Sequence, residues 1–168
     1  MPETFDRYHP DMKALHHGFR TSSCFVCNIV SGEADAHVVY ENDHAMVFLD
    51  KYPRQYGYTL VAPKMHREQV TGDFDVEAYL ELQTLVYHVT EAVRLEVGAE
   101  RMYVFTFGSN QGNAHVHWHI APLPPGTPYE EQQGAAVSWR RGVLAVPEKE
   151  MASLATRLRR HLESRGKV

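Results

Sequence analysis

Three histidines alternate with apolar residues in His115-Val116-His117-Trp118-His119-Ile120-Ala121. Successive side chains of a β-strand point to opposite faces, so this period sets His115, His117 and His119 in a row on one side. Val116, Trp118 and Ile120 fill the other side, which is then a face for burial. Imidazole serves near neutral pH as nucleophile, proton carrier, metal ligand or phosphate partner. Alternating histidines can also hold a metal, so the run by itself leaves catalysis and zinc binding both open.

Other chemistry-bearing residues lie upstream. Cys24 and Cys27, the only cysteines, form one CxxC. In a reducing compartment that spacing favours a metal or redox role over a structural disulfide. Directly before the histidines, Gly108-Ser109-Asn110-Gln111-Gly112-Asn113 is a polar loop with glycine near both ends. Such a loop turns sharply and can aim backbone N–H groups at one point, a way to hold phosphate without net positive charge.

The elements that must position these groups follow from pattern. Cys24 to Val30 reads as a short helix stopped by Gly32. His37–Glu41 and Ala45–Leu49 read as strands joined by a turn at Asn42-Asp43, with Asp50 at the end of the second. Tyr58–Ala62 is a third strand closed by Pro63, with His66 just beyond. From Asp75 to Val97 apolar residues recur at helical spacing and Gly98 supplies a stop. Met102–Phe107 is a strand rich in aromatic and β-branched residues. Residues 129–141 read as a polar helix, and another starts at Pro147 with an apolar stripe of Met151, Leu154, Leu158 and Leu162. Residues 1–21 show no sustained period and read as an extension.

His-φ-His-φ-His-φ-φ followed by Pro122 closely resembles the signature of the histidine triad (HIT) superfamily of nucleotide hydrolases and transferases. The stretch from Cys24 to His66 is similar to the N-terminal half of a bacterial HIT protein. It has CxxC, a small helix, a Tyr-Glu strand, Phe-Leu-Asp, a Pro-containing loop with Gly, then Leu-Val-x-Pro-Lys-x-His. The resemblance implies an α+β fold: an antiparallel sheet of about five strands, one long helix, a short N-terminal helix and C-terminal helices. The organisation expected is an extension over 1–21, a HIT domain over 22–128, and a C-terminal helical extension over 129–168 packed on the same domain.

By the same resemblance, His117 is the nucleophile that attacks the α-phosphorus of a nucleoside 5′-phosphoramidate or dinucleoside polyphosphate. Water then resolves the nucleotidyl-histidine to a nucleoside monophosphate. His119 is a phosphate contact, Asp50 accepts hydrogen bonds from the ribose, and Asn110, with Gln111, Gly112 and Asn113, lines the substrate loop. Zinc-containing relatives imply a closed Cys2His2 set of Cys24, Cys27, His66 and His115. The alternative for His115 is a catalytic role beside His117, with the thiols unmetallated. One departure concerns the leaving group. Many HIT hydrolases carry Ser or Thr between the loop and the triad, and Gly112-Asn113-Ala114 has no hydroxyl. The resemblance also implies a homodimer through residues 75–107. Competing functions are a nucleotidyl transferase or phosphorylase, a nucleotide-binding regulatory protein with vestigial activity, and a hydrolase whose zinc is held by the three triad histidines.

Composition bounds the rest. A chain of 168 residues with 43% hydrophobic and 23% charged residues is ordinary for one globular domain. The formal charge of −4 gives no general attraction to nucleic acid or anionic membranes, so any phosphate binding must come from local geometry; a small nucleotide is the partner the resemblance implies. No apolar run approaches the length of a membrane helix and the N-terminus lacks a basic-then-apolar leader, which makes the cytoplasm the default.

Overall fold

In the computed structural model, which describes residues 5–108 and 113–164, the chain begins with β1 (Arg7–Tyr8), α1 (Met12–Thr21) and α2 (Phe25–Val30). It continues through β2 (Val38–Glu41), β3 (Ala45–Leu49), β4 (Thr59–Pro63), α3 (Val76–Val97), β5 (Arg101–Thr106) and β6 (Trp118–Leu123). The last part holds α4 (Gly134–Val137) between two 3₁₀ turns, then β7 (Val143–Leu144) and α5 (Glu148–Ser164). Five strands form one antiparallel sheet in the order β2-β3-β4-β6-β5, as the α+β reading requires.

Both faces of this sheet are covered, which explains why β3 and β4 are buried at every position. One face packs Val47, Val61, Val116, Trp118 and Ile120 against the apolar stripes of α3 and α5. The stripe of α3 is Leu82, Leu85, Val86, Val89, Ala92 and Val93, spaced to fall on one side of the helix. Asp75 caps its N-terminus by accepting from Ala78 N–H at 2.7 Å, and Gly98, at φ 64°, ends it in the left-handed conformation. The opposite face packs Met46, Phe48, Tyr58, Leu60, Ala62 and Ala121 against α2 and Val137. Gly57, at φ 89°, turns the chain into β4 where a Cβ would meet Val97 Cγ1 at 2.8 Å.

Three local expectations change. The triad strand is shorter than its pattern: ladder pairing begins at Trp118, opposite Thr106 and Val61. His115 to His117 lie before it, where Val116 N–H donates to Arg67 O at 2.7 Å and Thr106 Oγ1–H to His117 O at 2.8 Å. The in–out alternation survives this, since Val116 and Trp118 remain in the core.

Residues 12–21 form a helix capped by Asp11, which accepts from Lys13 and Ala14 N–H. None of its residues is buried, though Met12, Leu15 and Phe19 fall at helical spacing. Residues 129–141 are not one helix. Gln133 takes a positive φ of 52° and leaves only four α-helical residues, Gly134–Val137, between the 3₁₀ turns.

Beside the main sheet, β1 pairs with β7 in a two-stranded ribbon. It grips the loop between β3 and β4: Leu144 N–H donates to Pro53 O at 2.8 Å, and an Arg7 guanidinium nitrogen donates to Arg54 O at 2.9 Å. Among the described residues no helix is long and apolar enough to cross a membrane.

Candidate active site

The three triad imidazoles do different work. His115 is fully buried, and its Nε2–H donates to Pro63 O at 2.8 Å. That bond leaves Nδ1 as the bare nitrogen, 3.4 Å from Cys24 Sγ and 3.6 Å from Cys27 Sγ. Burial pushes its pKa down to about 4, so the ring is neutral. His66 mirrors this arrangement from beyond β4. Its Nδ1 lies 3.4 Å from Cys27 Sγ, and its Nε2 lies 3.1 Å from Glu68 Oε1.

The four donor atoms of Cys24, Cys27, His66 and His115 all lie within 4.8 Å of one another. A tetrahedral zinc with bonds of about 2.3 Å to sulfur and about 2.05 Å to nitrogen would set those atoms roughly 3.5 Å apart. The three S···N distances, 3.4, 3.4 and 3.6 Å, fit that geometry. Each imidazole also has an acceptor on its far nitrogen, the usual outer support of a metal-binding histidine.

Cys24 sits at the N-cap of α2, where burial raises its thiol pKa but hydrogen bonds from Cys27 N–H and the Asn113 amide outweigh that and hold it low. The residues fit one closed Cys2His2 metal site. Asn113 therefore turns its amide toward Cys24 Sγ, at 3.5 Å. Asn110, Gln111 and Gly112, the other loop candidates, lie outside the described residues.

His117 donates from Nδ1 to His115 O at 2.7 Å. Among the described residues nothing hydrogen-bonds its Nε2, so the lone pair there is available for attack. Burial lowers its pKa and keeps it uncharged, as a nucleophile must be. Phe25 of α2 meets the ring edge-on, with centroids 5.6 Å apart. His119 stands beside it, ring centroids 4.7 Å apart. Its plane is set by stacking on Phe105, its cross-strand neighbour, at 4.8 Å and 9°. Its Nδ1 lies 3.2 Å from Tyr58 Oη.

Asp50 ends β3 with both carboxylate oxygens engaged. Oδ1 accepts from Tyr52 N–H at 2.8 Å, and Oδ2 pairs with an Arg54 guanidinium nitrogen at 3.2 Å. Each oxygen keeps a further lone pair. Arg54 is 5% exposed, its Cζ 4.1 Å from the centroid of the Tyr58 ring and 4.9 Å from that of Trp139. Reasoning from the sequence singled out neither Arg54, Tyr58, Phe105 nor Trp139. Arginine in a loop ordinarily means a solvated charge, and only the register of β5 on β6 puts Phe105 against His119. Tyr58 alone carried a signal, as the last residue before an all-buried strand.

The HIT domain family model matches residues 31–125. The chain belongs to this family. An uncharacterized HIT-like protein of Saccharolobus solfataricus is 38% identical over 103 residues, 59% of this chain and 73% of that protein. The protein called hit from Bacillus subtilis is 27% identical over 147 residues, 84% of this chain and 96% of its own. Among solved HIT structures, a hypothetical histidine triad nucleotide-binding protein from Sulfolobus tokodaii strain 7 superposes with a TM-score of 0.69 at 28% identity. That superposition covers 84% of this chain and 93% of the other. A zinc-bound histidine triad family protein from Mycobacterium smegmatis shares the fold, with a TM-score of 0.68 at 24% identity over 86% of this chain and 96% of its own. The HIT match ends before Trp139, so this ring beside Arg54 comes from outside the matched segment.

Proposed function

We propose that this HIT protein is a nucleotide hydrolase acting at the α-phosphorus of nucleoside 5′-phosphoramidates or dinucleoside polyphosphates. The observation that carries the reading is the hydrogen bond from His117 Nδ1 to the His115 carbonyl, which leaves a neutral Nε2 with no hydrogen-bond partner among the described residues. In the first step the Nε2 lone pair forms an N–P bond while the bond from phosphorus to the amine or phosphate leaving group breaks. The leaving group departs with that electron pair and takes up a proton. In the second step water attacks phosphorus, loses a proton, and the N–P electron pair returns to Nε2. His119, with backbone N–H groups near Asn110 to Asn113 as expected from the sequence, holds the phosphate oxygens where charge accumulates.

Gly112-Asn113-Ala114, directly before the triad, carries no side-chain hydroxyl, and the Thr106 hydroxyl is committed to His117 O. In this reading Asn113 or a water assists the leaving group in its place. Asp50 reads the ribose with the lone pairs that Arg54 and Tyr52 leave free.

Zinc is the metal that the Cys24, Cys27, His66 and His115 donors suit. When bound, a closed site of this kind supplies rigidity and no open coordination position. It ties α2, which carries Phe25 against His117, to the turn that carries His115.

The homodimer reading rests on a surface. Val76, Leu80 and Tyr87 of α3 and Val104 of the edge strand β5 are exposed apolar side chains on elements that pack together. The test of the catalytic reading is incubation with an adenosine 5′-phosphoramidate followed by intact-protein mass spectrometry. An AMP-sized adduct that is present in the native chain and absent in His117→Ala supports it; steady turnover by His117→Ala overturns it.

A further inference from the structure

We infer that Tyr58 and Arg54 are positioning residues that select the tautomer of His119, so that its Nε2–H is the hydrogen presented to phosphate oxygens. The inference deepens the hydrolase reading and rests on it for its kinetic part alone. A neutral imidazole has one N–H, and a phosphate oxygen needs a donor, so a triad histidine that contacts phosphate without charge must carry its hydrogen on the nitrogen facing the cleft. For His119 the other nitrogen, Nδ1, faces Tyr58 Oη at 3.2 Å. Which of the two donates decides which nitrogen of His119 carries the hydrogen.

The surroundings of Tyr58 decide in favour of O–H to Nδ1. The ring is 1% exposed, and the Arg54 guanidinium lies over its face with Cζ 4.1 Å from the centroid. A cation on the ring face draws electron density out of the phenol, which makes the hydroxyl a better donor and its oxygen a poorer acceptor. Burial pushes the Tyr58 pKa up to about 12, against the pull of Arg54, so the proton is present to be donated. Burial likewise pushes His119 down to about 2, so the ring stays neutral and its single hydrogen falls to Nε2.

The cation is itself held in place. Asp50 Oδ2 pairs with it at 3.2 Å, and its Cζ lies 4.9 Å from the centroid of Trp139, a residue beyond the HIT segment. Its Nε is buried without a partner among the described residues, so the guanidinium bears an uncompensated desolvation cost in this place. A chain of four side chains, Asp50, Arg54, Tyr58 and His119, thus runs from the end of β3 to the triad. Phe105 fixes the plane of the His119 ring, and Tyr58 fixes which nitrogen looks out.

The experiment is a two-bond ¹H–¹⁵N spectrum of the full chain labelled at histidine nitrogen, with His119 assigned by comparison with His119→Asn. The expected spectrum shows Nδ1 bare and Nε2 protonated in the native chain. In Tyr58→Phe, which removes one oxygen and keeps the ring, the two tautomers become mixed. Arg54→Met moves the population the same way, and Arg54→Lys restores part of it. A native His119 protonated on Nδ1, or a Tyr58→Phe spectrum identical to the native one, overturns the inference.

With adenosine 5′-phosphoramidate, Tyr58→Phe is expected to lose about tenfold to a hundredfold in kcat, the range seen when an orienting hydrogen bond is removed, while KM moves by less than about threefold. An unchanged kcat beside a changed tautomer overturns the catalytic half. A native chain inert toward the phosphoramidate defeats the hydrolase reading, and the spectrum still decides the tautomer.

Discussion

His117 Nδ1–H and the carbonyl of His115 are 2.7 Å apart, so the proposed nucleophile is oriented by the backbone of a residue whose own side chain joins the Cys24, Cys27 and His66 cluster. One residue belongs to both sites. A shift of His115 to relax its contacts with the sulfurs also shifts the acceptor that sets the tautomer of His117.

Metal removal should therefore register twice. Zinc in the native chain is expected at one ion per protein, and Cys24→Ser or chelation should remove it. The thermal midpoint should fall by several degrees, since binding to the folded state alone stabilises by about 4 kcal/mol when the free ion stands at about a thousand times its dissociation constant. Turnover should fall with it. His117→Ala should retain the ion, which separates a structural site from one held by the three triad histidines. Atomic absorption on both variants, with calorimetry, checks this.

Replacing His117 by alanine should lower phosphoramidate turnover by about a thousandfold or more, because the lost group forms the covalent bond. Affinity for a nucleoside monophosphate should change little. Calorimetric titration with AMP beside the kinetic assay distinguishes a lost nucleophile from a collapsed site.

Glu150 provides a pH signature far from the chemistry. It accepts a hydrogen bond from Tyr56 and pairs with Arg157, which itself bonds Glu96 of α3. The Tyr56 bond first, then Arg157, hold the carboxyl below the usual glutamate range. A depressed folded pKa contributes stability that is fully present above the unfolded value, about 4.3, and lost as pH falls from there through the lower folded value. Glu150→Gln should lower stability at neutral pH and flatten the acid limb of a midpoint-against-pH curve. A variant curve parallel to the native one down to acid would contradict this.

Leu80→Glu should leave the monomer fold intact, because Leu80 is 57% exposed on the outer side of α3. If two copies meet on that face, the new charge would be buried between them, and the dimer should give way to monomer by sedimentation. A native chain that sediments as a monomer at high concentration would remove the dimer from consideration.

Much of the frame was legible because each element carried its own stop and period. α3 is framed by Asp75 and Gly98, and β3 and β4 are apolar runs ended by Asp50 and Pro63. The metal cluster was legible only by resemblance, since nothing local says that residues 24, 27, 66 and 115 meet. What stayed hidden was tertiary. The triad strand starts three residues later than its period suggests, since Val116 N–H bonds to Arg67 in place of a ladder. Arg54 has no pattern at all, and one of the two rings beside its guanidinium, Trp139, lies 85 residues along the chain.

The ribbon of β1 and β7 has a bearing on how the protein is made. The loop holding Pro53 and Arg54 sits between two early strands, yet its carbonyls are satisfied by Leu144 and by Arg7, which is itself anchored on β7. While the polypeptide emerges from the ribosome, the sheet's first hairpin can close long before that loop acquires its final partners. A nascent fragment stopped before residue 143 would carry all three triad histidines without the strand that anchors Arg7 and without the Leu144 bond to Pro53.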